Sequence, residues 1–130
     1  MLAGPARCFF LLQGLLVIAW WCWLLAVPAA RAAFVPGGLD AASLIAWAPA
    51  DLLLLAPASL GAALPWRQRP AVQLVLPWCV TAALAYAAFW CVAASARHGG
   101  GWSAGVCMSA AAFGSGVAAS WRKVAPPAGR

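Results

Sequence analysis

Residues 45–64 read IAWAPADLLLLAPASLGAAL. The run is apolar almost throughout, yet it carries Asp51 between Pro49 and Pro57. Whether it crosses a membrane decides the fold. An aspartate at the centre of an inserted helix costs about 2.5–3.5 kcal/mol on the biological insertion scale. Leu52 to Leu55 each return about 0.3–0.6 kcal/mol on that scale. The run can therefore insert, although the acid does nothing for its stability.

Three further stretches reach the roughly 20 apolar residues that a crossing needs. They are FFLLQGLLVIAWWCWLLAVP at 9–28, AVQLVLPWCVTAALAYAAFWCVAAS at 71–95 and WSAGVCMSAAAFGSGVAASW at 102–121; the central run itself extends over 41–64. The connectors AARAAFVPGGLD, PWRQRP and ARHGGG are rich in helix-stopping Gly and Pro. The expectation is a single all-α domain over residues 1–130, an integral membrane four-helix transmembrane bundle.

Composition agrees. Of 130 residues, 66% are hydrophobic and 8% charged, against about a quarter charged in soluble domains. The net charge of +6 does not point to nucleic acid, because the basic residues sit singly or in pairs beside apolar runs and form no basic face. They instead set an orientation. Arg7, Arg67, Arg69, Arg122, Lys123 and Arg130 fall on one side, and only Arg31 and Arg97 on the other. Both termini are then expected inside. Trp102 and Trp121 bracket the fourth stretch at the level of a headgroup belt, about 28 Å apart at 1.5 Å per residue. The Arg-over-Lys and Ala-over-Ser bias is that of a GC-rich bacterial genome, so the expected location is a bacterial cytoplasmic membrane. Arg7 before an apolar run and Ala30-Arg31-Ala32 also fit a signal peptide, but the run exceeds the usual 7–15 residue core, and it is read as an uncleaved helix.

Asp51 is the sharpest chemical feature. An ionisable residue within a crossing marks a functional site by default. No basic residue lies in any crossing to pair with it, so it is expected neutral and hydrogen-bonded. With a helix starting at Ala41 under an Asp40 cap, Asp51 is about 15 Å down. With a start at Pro49 it lies in the first turn; the first version spans the bilayer better. Tyr86 falls at the same depth and is the expected partner, with Thr81 and Ser109 a turn or two away. Asp51 and Tyr86 are the candidate ligand or proton site, beside the plainer reading of a buried hydrogen bond that fixes helix register.

Gly105, Ser109, Ala112, Gly116 and Ala119 recur along the fourth stretch at spacings of 4, 3, 4 and 3, and the first four are the candidate helix-packing residues, since small side chains let helices approach closely. Cys8, Cys22, Cys79, Cys91 and Cys107 contain no CxxC spacing and are read as small buried hydrophobes. His98 has no oriented acid or nucleophile at a recognisable spacing and is read as a loop residue. No catalytic residue, metal or cofactor is expected. The expected partners are the lipid bilayer and either further copies of the chain or a larger membrane protein. The leading expectation for function is an accessory or structural membrane subunit. An oligomeric transporter using Asp51 is the alternative, and a membrane module of a lipid-modifying enzyme the second.

Overall fold

The computed structural model describes residues 2, 4–37, 39–66 and 68–121. Arg67, Arg122, Lys123 and Arg130, four of the six residues behind the expected orientation, lie outside them.

Four helices are long and apolar enough to cross a membrane: α1 (Gly4–Ala26), α2 (Ala41–Ala63), α3 (Pro70–His98) and α4 (Trp102–Ser120). They run up, down, up and down. Their starts and stops follow local chemistry. Pro5 opens the first turn of α1, five residues before the expected start, because a first-turn proline gives up no helical bond. At the other end Pro28 has no N–H for the carbonyl of Leu24. Arg31 replaces it, donating from Nε to Leu24 O at 2.7 Å and from Nη2 to Leu25 O at 3.1 Å. The chain then turns through a short 3₁₀ segment, Pro28–Ala33. Asp40 caps α2, its carboxylate accepting from the Ala42 N–H. α3 runs on to His98, past the expected end at 95, since nothing breaks it before Gly99; His98 is thus the last helical residue and not a loop residue.

α2 is not a uniform helix. Residues 46 and 47 form a turn, and Asp51–Leu55 form a π-turn in which the Ala56 N–H reaches Asp51 O. The cause is Pro57. It has no N–H, and its ring crowds the carbonyl four residues back, at Leu53. Widening the helix by one residue relieves the clash. The π-turn also changes the direction in which Asp51 leaves the helix.

Two helix pairs carry the bundle. α1 lies against α2, with Gly14 letting the backbones close: a Cβ there would sit 2.7 Å from Leu60 Cγ and 3.2 Å from Ala56 O. α3 lies against α4 through Gly105, whose Cβ would meet Val92 Cγ2 at 3.1 Å, and Gly116, whose Cβ would meet Thr81 Cγ2 at 3.6 Å. Thr81 Oγ1 donates to Pro77 O at 2.9 Å and lies 3.2 Å from Ser115 Oγ across this seam. Of the expected packing residues, Gly105 is buried and Ala112 and Gly116 are half-buried, but Ser109 is exposed. It lies six residues from fully buried Ser115, about 120° round a helix of 3.6 residues per turn. The buried face is centred on Ser115 and Ala119, so of the stripe read from the sequence Gly105 and Ala119 are buried and the residues between them run along the edge.

The pairs meet tightly only at the lower end, where α1 begins and α4 ends. Phe10, Val80, Leu84 and Ala119 form one buried core with Leu2 and Ala6. A second, smaller core of Trp21, Leu24 and Ala48 lies higher. Arg7 Nε donates to Ala63 O at 2.8 Å, capping the lower end of α2. The outward surface is apolar, with Leu16, Leu53, Phe89 and Phe113 all well exposed.

Candidate functional site

α1 and α4 touch near Phe9 and Gly114, where a Cβ on the glycine would come within 2.9 Å of the ring. Above that point they diverge. A cavity of about 710 Å³ fills the gap, from Phe9 and Gln13 up to Phe34, Pro36 and Gly101. Leu12 and Leu16 on α1 and Cys107 on α4 edge it and are exposed, so it opens sideways between those two helices. α2 and α3 form its back wall, with Leu55 and Leu84 at the base.

Aromatic rings crowd its upper half. Trp20 packs edge-on against Phe34 at 4.3 Å and against Trp23 at 5.6 Å. Trp47 and Trp90 pair across α2 and α3 at 5.1 Å. All five line the cavity. Four of the five are tryptophans, and with Phe34 they form a wall.

Asp51 lies in this cavity, and its partner is not Tyr86. The Trp21 Nε1–H donates to Asp51 Oδ2 at 2.9 Å. Tyr86 is 64% exposed. It follows fully buried Leu84 by two residues, about 200° round the helix, and so faces away from the bundle. Equal depth brings two side chains together only when both also point into the bundle, and Tyr86 does not. The donor at this depth is an indole N–H, not a hydroxyl. A signal existed. Side chains tilt toward the N-terminus of their helix, so Trp21 leans down from ascending α1 and Asp51 leans up from descending α2. Thr81 and Ser109, the other residues near that depth, do not reach the acid: the first is spent on the α3–α4 seam and the second is exposed.

Two buried polar residues also line the cavity, neither singled out from the sequence. Gln13 is 7% exposed and Ser95 1%. Ser59 Oγ gives its proton to Leu55 O at 2.8 Å, so at 3.2 Å it must accept from Gln13 Nε2. That fixes the Gln13 amide and leaves Oε1 as an acceptor with no donor. Ser95 Oγ also has no partner. Buried polar atoms are ordinarily paired, so both mark a place where a hydrogen-bonding group is missing.

The cysteines are free, and four of the five are exposed on the outside of the bundle, not buried as expected. Cys91, half-buried, and Cys107 line the cavity. Glycines 99, 100 and 101 all have positive φ and serve the fold: Gly37 N–H donates to Gly99 O, and Ser103 Oγ–H to Ala33 O, tying the two upper loops together.

The site is therefore an apolar, aromatic-walled cavity with one carboxylate, one unfilled amide oxygen and one unfilled hydroxyl. Comparison of the chain with protein-family models, with curated proteins and with solved structures finds no match to any of them.

Proposed function

We propose that this protein is a multi-pass protein of the bacterial cytoplasmic membrane, with both termini inside, that takes a lipophilic small molecule into the cavity between α1 and α4. The observation that carries this reading is the coincidence, in one cavity, of apolar walls with three polar groups short of partners. Ligand sites are built this way, mostly apolar with a few fixed polar groups. A void kept for packing alone would hold no acid. The sideways opening suits a ligand that arrives from the bilayer. A binding or transport role thus ranks above the accessory-subunit role expected from the sequence, which gives no reason for an interior cavity. The accessory role keeps one support of its own: a shallow groove of about 220 Å³ on the lower α1–α4 face, between Phe9, Phe113 and Trp121. Either role is compatible with further copies of the chain.

Two measurements test the reading. Reporter fusions at Gly37 and after Arg130 are expected on opposite sides of the membrane, with Gly37 outside; fusions reporting one side for both positions sink the topology. In lipid nanodiscs, a neutral lipophilic dye such as N-phenyl-1-naphthylamine is expected to bind saturably, with energy transfer from the cavity tryptophans. Ala87→Trp and Ala111→Trp place an indole in the void without touching Asp51, and saturable binding is expected to disappear in both. Identical non-saturable partitioning into wild type, variants and empty discs removes the cavity as a ligand site.

A further inference from the structure

We infer that the ligand of this cavity is a lipophilic organic cation, an ammonium or phosphonium centre on a hydrocarbon or aromatic body, held with its charge beside Asp51. The inference rests on the cavity being a ligand site and adds the sign of the charge it selects.

Two of the three unfilled polar features of the cavity, the Asp51 carboxyl and the Gln13 oxygen, accept only and call for positive charge or a donor; the third, the Ser95 hydroxyl, serves either sign. Trp21 occupies one carboxylate oxygen, Oδ2, and among the described residues no other hydrogen bond and no ion pair reaches Asp51. Gln13 presents an oxygen that its own hydrogen bonds fix as an acceptor. Among the described residues, no Lys, Arg or His lines the cavity. Arg31 is committed to the α1 carbonyls.

The walls add to the same preference. The faces of aromatic rings attract cations, indole most strongly. Trp20, Trp21, Trp23, Trp47 and Trp90 all line the cavity. Trp47 stands one turn above Asp51 on α2, its carbonyl accepting the Asp51 N–H at 3.1 Å. A compact hydrated ion gains nothing from the apolar surface that makes up most of the cavity. An anion meets a carboxylate and no base. An opposite charge beside a carboxyl favours its ionised form, so a bound cation replaces the neutral acid expected without a partner, and a neutral amphiphile does not. A cation with an apolar body satisfies all three features: carboxylate, rings and hydrocarbon wall.

The test uses ions of one shape and opposite charge. The full chain in zwitterionic nanodiscs is titrated with tetraphenylphosphonium and, separately, with tetraphenylborate, following tryptophan quenching and subtracting empty discs. Tetraphenylphosphonium is expected to saturate with at least tenfold higher affinity than tetraphenylborate. Asp51→Asn still offers an oxygen to the Trp21 N–H and keeps the fold. It is expected to lower tetraphenylphosphonium affinity at least tenfold and to leave tetraphenylborate unchanged or tighter. Equal saturable binding of both ions to the wild type, unaffected by Asp51→Asn, overturns the cation and leaves the ligand site standing. Saturable binding of the neutral dye with neither ion bound has the same meaning. Absence of all three overturns the site and the cation together.

Discussion

Trp21→Ala is expected to destabilise the protein by about 3–5 kcal/mol, the range for removing a fully packed aromatic side chain. Trp21 is 2% exposed and anchors the upper core with Leu24 and Ala48. Among the described residues, it also supplies the only hydrogen-bond donor to Asp51. The substitution thus opens a cavity and strips a buried acid of its partner at once. Three milder variants separate those effects. Trp21→Phe keeps most of the ring and loses the N–H. Asp51→Leu keeps bulk and loses the acceptor. Each leaves one buried group unpaired, at about 1–3 kcal/mol. The double variant removes both partners, and such replacements can be nearly neutral. It should therefore cost less than the two single changes added together. Asp51→Asn should cost little, since an amide oxygen still accepts from the indole. Unfolding of each variant in one detergent, followed by tryptophan emission and circular dichroism, reads these differences. Strict additivity of Trp21→Phe and Asp51→Leu would falsify the hydrogen bond as a coupling between α1 and α2.

The helices themselves were legible in the sequence, because length and hydropathy alone decide whether a run such as 71–95 can be helical and apolar. The ends were legible where a proline dictates them, as at Pro28, and less so at Gly99, where α3 runs past the expected end at 95, and at Pro5, where a proline starts a helix that the apolar run would begin later. Asp51 was legible as unusual, since an unpaired acid in an apolar run is rare on physical grounds. Its partner was not. Depth along a helix can be counted from sequence, but the angle between one helix and the next cannot, and that angle turned Tyr86 outward and Trp21 inward. The cavity was illegible for a related reason. It exists because α1 and α4 meet at Phe9 and Gly114 and then separate, a relation between residues more than 100 apart that no local pattern encodes. Pro49 and Pro57 did give a local hint, as prolines in membrane helices often accompany cavities. The same angular limit explains Ser109: a stripe at spacings of 4, 3, 4 and 3 defines a face, but the neighbour that covers it decides which part is buried.

Gly101→Ala is expected to cost about 3 kcal/mol or more, combining left-handed backbone strain of about 1–2 kcal/mol with overpacking of about 1–3 kcal/mol. Gly101 has φ 67° and ψ 10°, a conformation that an L side chain rarely adopts. Its Cβ would stand 2.7 Å from Pro36 N and 3.0 Å from both Pro36 Cα and Cδ. Those atoms belong to backbone and a closed ring, so no rotamer change relieves the clash. The upper loops must part, and with them the Gly37–Gly99 and Ser103–Ala33 hydrogen bonds. Two other glycines isolate the causes. Gly99 has φ 72° and ψ 150° but open space where a Cβ would go, so Gly99→Ala reports backbone strain alone, about 1–3 kcal/mol. Gly4 has neither a positive φ nor a neighbour within 4 Å, and Gly4→Ala should be silent. Melting temperatures in detergent are expected to fall in the order Gly4→Ala, Gly99→Ala, Gly101→Ala, the last lowest. Pro36 and Gly101 both line the top of the cavity, so the same contact that holds the loops also closes the site. A folded fraction of Gly101→Ala should accordingly bind the neutral dye more weakly than Gly99→Ala does. If Gly101→Ala melts with Gly4→Ala, the two upper loops are not locked through this contact, and the cavity has no fixed upper wall.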